Sequence, residues 1–183
     1  MGAFTKSAQF PFHIWLPDEM EAPTPVSAYL HSATMVNAGL YLIARFFSVF
    51  SSYEWCFITV TTFGIITLCW GSFMAVRQTN LKAILAFSTI SQLGMIMAML
   101  DLGTHVAIIV AVFHILNHAT FKCTLFIVAG IIDVQTGTRV IRQLVKLFTL
   151  MPITATLAFF GTLAIARVPL PFLNEFYSKE LFF

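Results

Sequence analysis

Phe113-His114-Ile115-Leu116-Asn117-His118-Ala119-Thr120-Phe121-Lys122 lies in the middle of an apolar run from about Thr104 to Ile132. On an α-helix His114, His118 and Lys122 stand at i, i+4 and i+8, so they line one face. A bilayer needs roughly 20 apolar residues per helical crossing, and this run exceeds that. Hydrocarbon cannot solvate three such groups, so their face must turn to a wet interior, where ionisable residues handle ions or protons. The alternative is that the histidines make helix–helix hydrogen bonds while Lys122 snorkels to an interface. A lone histidine would suit that alternative. The repeated His-x3-His-x3-Lys spacing favours a polar axis inside a transporter.

The composition agrees. The 183 residues are 58% hydrophobic and 10% charged, with twenty phenylalanines, and the mean hydropathy is +0.87. A soluble domain carries about a quarter charged residues. The expected fold class is therefore an all-α integral membrane protein, a bundle of about six transmembrane segments whose first and last helices are discontinuous. Residues 1–183 read as a single membrane domain. A net charge of +2 without a basic patch gives no reason to expect a nucleic-acid partner. Cys56, Cys69 and Cys123 all lie in apolar runs without metal-ligand spacing and read as small hydrophobes.

Working outward from the central run, the chain divides at polar turns. The first segment, Gly2 to about Met20, carries Lys6 and is interrupted by Pro11 and Pro17. Pro11 has no N–H, so the Ser7 carbonyl loses its helical partner there. Broken helices at membrane depth recur where they line a cavity. The turn from Pro17 to Pro25 holds Asp18, Glu19 and Glu21, which read as solvated. A second helix is expected from about Val26 to Phe47, with His31 near its start and Asn37 near its centre. A third follows from about Tyr53 to Val76 as scaffold, and a fourth from Leu81 to Leu100. The fourth carries Lys82 at its start and Ser88, Thr89, Ser91 and Gln92 along its middle. One residue inside a helix end, Lys82 can equally snorkel.

Beyond the central run, Asp133 to Lys146 is the longest polar stretch, and a sixth helix is expected from about Phe148 to Ala166. A second proline break at Pro169 and Pro171 leads to Asn174–Glu180, which contains Lys179. Arg77 lies in the third link and Arg139, Arg142 and Lys146 in the fifth, which alternation puts on one side. The excess of Lys and Arg predicts that this side is cytoplasmic. A chain that begins in a helix and stops at Phe182-Phe183 is expected to be a fragment of a longer protein.

Several motifs carry a family resemblance over essentially the whole chain. Gly2-Ala3-Phe4-Thr5-Lys6-Ser7-Ala8-Gln9, Trp15-Leu16-Pro17-Asp18 and Glu21-Ala22-Pro23-Thr24-Pro25-Val26-Ser27-Ala28 resemble the proton-conducting antiporter-like membrane subunits. Leu85–Gly94, Asn117–Lys122, Thr136–Arg139 and Phe176–Glu180 are most similar to the A subunit of Mrp-type multisubunit Na⁺/H⁺ antiporters. The resemblance implies that the segments correspond to transmembrane helices seven to twelve of that family. It implies a proton path through Lys6, His31, Lys82, His114, His118, Lys122 and Lys179, with a glutamate outside this chain partnering Lys6. It further implies an ion transporter rather than an enzyme. Its setting would be a bacterial cell membrane, with other membrane subunits as partners, protons and Na⁺ as the ions moved, and no cofactor or metal. The alternative is the equivalent proton-pumping subunit of NADH:quinone oxidoreductase or a hydrogenase-type complex.

Departures from the pattern matter too. Asn37 stands where many such subunits have lysine, and Arg167 and Glu175 flank the second proline break where glycine is expected. They leave room for a structural subunit with a vestigial axis. An intramembrane enzyme with His114 and His118 as metal ligands is disfavoured, since no carboxylate nearby completes the set and Lys122 would repel a cation.

Overall fold

The computed structural model describes residues 1–32, 34–50, 54–102, 104–144 and 147–166. Among these the chain is mostly helical, built around α6 (Leu81–Asp101) and α7 (His105–Thr136). Asn80 caps α6, its side chain accepting from the Lys82 N–H at 3.2 Å. Thr104 caps α7 in the same way, and Gly137, at φ 66°, ends it in the left-handed conformation that glycine adopts at little cost.

Sixteen of the 21 residues of α6 are buried, so it is the central helix. A helix apolar on all sides belongs at the middle of a bundle. The scaffold helix α5 (Glu54–Arg77) packs along it through small residues. At Gly94 an added Cβ would stand 2.6 Å from the Gly64 carbonyl oxygen and 2.7 Å from the Leu68 nitrogen. Ser72 and Ser91 join the same helices, Oγ to Oγ, at 2.7 Å. Lipid offers no hydrophobic drive between helices, so close backbone approach and such hydrogen bonds hold them. The opposite face of α5 exposes Trp55, Ile65, Trp70 and Phe73, as a lipid-facing or subunit-facing surface would.

Three stretches, Ile58–Arg77, Leu81–Asp101 and Val106–Thr136, are long and apolar enough to cross a membrane. The other expected segments are divided. In the first, α1 (Gly2–Lys6) and α2 (Trp15–Asp18) flank an irregular stretch. The break therefore begins at Ser7, before Pro11, and the Ser7 carbonyl is taken by Gln9 Nε2 at 3.3 Å. The expected second helix is two, α3 (Thr24–Ser32) and α4 (Met35–Phe50). The expected sixth is also two, α8 (Leu147–Leu150) and α9 (Pro152–Ile165), because Pro152 opens a new helix at its first position. The discontinuous last helix falls outside the described residues.

The two basic links meet at one end of the bundle. Asn80 and Val140 form an isolated antiparallel bridge. The Leu81 N–H donates to the Arg139 carbonyl at 2.9 Å, and the Ile141 N–H to Thr79 at 3.1 Å. Alternation of the helices requires this shared side.

Candidate proton-handling site

The candidate side chains sit where α6 and α7 run antiparallel. Buried residues of α7 recur at His114, Asn117, His118, Lys122, Leu125 and Ala129, the three-to-four spacing of one helical face. Val112, Leu116, Ile127 and Ile131 take the exposed face. On α6 the facing polar residues are Lys82, Ser88 and Gln92. The two helices thus share three polar rungs in opposite chain order.

At the first rung, His114 Nε2–H donates to Gln92 Oε1 at 3.0 Å. The amide oxygen can only accept, so it places a proton on that ring nitrogen. The His118 ring follows, its centroid 6.5 Å from that of His114. At the second rung, Lys122 Nζ donates to the Leu85 carbonyl at 3.1 Å and to Ser88 Oγ. Ser88 Oγ donates in turn to the same Leu85 carbonyl at 2.9 Å, leaving a lone pair for the lysine. Buried ammonium demands such acceptors, because leaving it unpaired costs several kcal/mol.

At the third rung, Lys82 Nζ lies 3.4 Å from Asp133 Oδ2. Arg139 Nε bonds the same oxygen at 2.8 Å. Asp133 is on the last turn of α7 and does not belong to the solvated loop that its sequence neighbours suggest. Lys82 is buried, so it does not snorkel. From α3, His31 is buried and stacks on Phe126 with centroids 5.4 Å apart and planes at 19°. It lies within electrostatic reach of Lys122.

From Lys82 to Gln92 the rungs rise about 15 Å along α6, roughly half a bilayer core. Past Gln92 the buried residues of α6 turn apolar, through Leu93, Met95, Ile96, Met97 and Leu100, until Asp101. Asp101 accepts a hydrogen bond from Thr61 Oγ1. The polar axis therefore reaches toward the Asn80–Val140 end and is closed by side chains toward the other.

Two expected members stand apart. Lys6 ends α1 and is exposed on this chain, away from the α6–α7 axis. Lys179 lies outside the described residues, with Arg167 and Glu175. The residues missed as partners were Gln92, Ser88 and Asp133. Lys82, Leu85, Ser88 and Gln92 do follow a three-to-four spacing, which marks a stripe once a facing helix is known. Among the described residues no three His, Cys, Asp or Glu side chains converge as a metal site would require.

The family model described as "NADH:quinone oxidoreductase/Mrp antiporter, TM" matches residues 1–183. The chain belongs to this family. The A subunit of the Na⁺/H⁺ antiporter of Alkalihalophilus pseudofirmus is 59% identical over the whole chain, which covers 24% of that protein. The A/B subunit of a probable K⁺/H⁺ antiporter of Rhizobium meliloti is 58% identical, and the chain covers 18% of it. Among solved structures, the Mrp complex from Dietzia sp. DQ12-45-1b superposes with a TM-score of 0.91 at 46% identity, over 98% of this chain and 20% of that one. The chain thus spans about a quarter or less of the relatives it matches. Membership in this membrane-domain family fits the helical architecture and its buried ionisable groups.

Proposed function

We propose that this chain forms part of the proton path of a multisubunit cation/proton antiporter in a bacterial cell membrane. The supporting observation is the run of buried ionisable groups between α6 and α7: Lys82, ion-paired to Asp133, Lys122 and His114, hydrogen-bonded across to α6, and His118 between these two, with His31 beside them. Protons would pass along these rungs as each lysine or histidine exchanges partners, within the half of the bundle that is polar. The names of the relatives favour antiport with Na⁺ or K⁺, and other membrane subunits as partners, over redox-coupled pumping. In that assembly Lys6 would face a carboxylate outside this chain, which suits its exposure here.

The test is transport by the intact assembly in proteoliposomes, with alanine placed singly at His114, His118 and Lys122. Loss of antiport in assembled variants is the expected result. Native rates in all three would remove the polar axis from the transport mechanism.

A further inference from the structure

Lys82 and Arg139 compete for one oxygen, and the competition is graded by exposure. The side chains of Lys82, Asp133 and Arg139 are 3%, 19% and 38% exposed, so the carboxylate stands between an inner ammonium and an outer guanidinium. All three line a cavity of about 590 Å³, bounded by the Glu21–Pro25 turn and the end of α7. Arg139 is held there by the backbone bonds that dock its loop onto Thr79–Leu81.

We propose that Asp133 is a positioning residue for Lys82 and that Arg139 is a competing latch, so that docking of the loop sets how firmly Lys82 is held. This rests on the proton-path reading above. With Arg139 bonded, Asp133 Oδ2 shares its charge, and Lys82 sits at 3.4 Å, beyond a short charge-assisted hydrogen bond. Release of Arg139 leaves the whole carboxylate to Lys82 and draws the ammonium toward the cavity. Return of Arg139 frees Lys82 to swing toward the Ser88 rung. Among the described side chains, the other charged or histidine groups on elements packed against α6 are Arg77, Arg45, Asp18, Glu19, Glu21, His114, His118 and Lys122, and of the turn's carboxylates Glu21 lines the cavity. Glu21 offers a second negative group on the water side, where a released Arg139 can rest.

The latch makes opposite demands on two variants, which a merely structural role does not. In the intact assembly, Asp133→Asn removes the counter-charge of Lys82, and the pH of half-maximal transport should fall. Arg139→Gln removes the competing cation, and the same midpoint should rise. Asp133→Glu should restore the native midpoint. Shifts in one direction for both, or no shift in either, would overturn the latch. Should Asp133→Asn fail to assemble, the exposed Arg139 still decides: a rise supports the proposal and an unchanged midpoint sinks it. Lys82→Met separates the two levels. If it transports at the native rate, the proton-path reading itself fails. If it is inactive while the midpoints do not part, only the latch is lost.

Discussion

Lys122 on α7 donates to the carbonyl of Leu85 on α6, at 3.1 Å, and that carbonyl also accepts from the side chains of Ser88 and Thr89. A main-chain oxygen inside a helix normally serves one N–H. Here it anchors a buried ammonium as well, so Lys122 is held by backbone that cannot be mutated away and by a hydroxyl that can.

Lys122→Met should still assemble, since the partners it leaves, the Leu85 carbonyl and the Ser88 hydroxyl, are neutral and keep their bond to each other. Transport should be lost. Ser88→Ala should cost about 0.6–1.7 kcal/mol, the range of interhelical hydrogen bonds in membranes, and slow transport without abolishing it. Thermal unfolding of the purified assembly and flux in proteoliposomes measure the two effects. Native flux in Lys122→Met would refute the assignment.

His31 allows packing and proton handling to be separated. Its ring stacks on Phe126, and neither ring nitrogen has a hydrogen-bond partner among the described residues. His31→Phe keeps an aromatic ring to stack on Phe126 and removes both nitrogens. The expected outcome is an unchanged unfolding temperature with reduced proton flux. Unchanged flux would make His31 a packing residue.

The packing of α5 on α6 gives a stability prediction independent of transport. The Cβ of any residue at position 94 meets backbone atoms of Gly64 and Leu68 that cannot rotate aside. Gly94→Val should force the helices apart, at about 1–3 kcal/mol, and lower the unfolding temperature. Gly2→Ala is the matched control, because nothing lies within 4 Å of its added Cβ. Equal unfolding temperatures for the two variants would show that the helices do not depend on this close approach.

The polar axis was legible because lysine and histidine inside an apolar run have few physical options, and the 3.6-residue period puts them on one face. Asp133 was not legible in the same way. A carboxylate three residues before a Thr136-Gly137 turn looks solvated until the loop carrying Arg139 is seen docked on Thr79–Leu81. The division of the second segment left no local mark either, since His31-Ser32-Ala33-Thr34 contains neither proline nor glycine. Pro152 did mark the start of α9, but the apolar run from Phe148 hid it. Lys6 shows the limit of motif reading: its neighbours match the family's pattern, yet its burial depends on what packs against it.

That exposure makes Lys6 the cleanest site for asking whether a proton or only a charge is needed. It is the last residue of α1, and the carbonyls around it are occupied: Thr5 accepts from Trp15 Nε1 at 3.0 Å and Ser7 from Gln9 Nε2. The side chain itself projects from the described helices, so substitution removes little packing within this chain. Lys6→Ala should leave assembly intact while abolishing antiport. Lys6→Arg keeps the positive charge at the end of a helix, where the macrodipole favours it. Arginine stays charged at any relevant pH, so it cannot exchange a proton. If Lys6 passes protons, the arginine variant fails as completely as alanine. Antiport at the native rate in Lys6→Arg, measured beside an inactive Lys6→Ala, would mean that a fixed charge suffices and that the proton travels elsewhere.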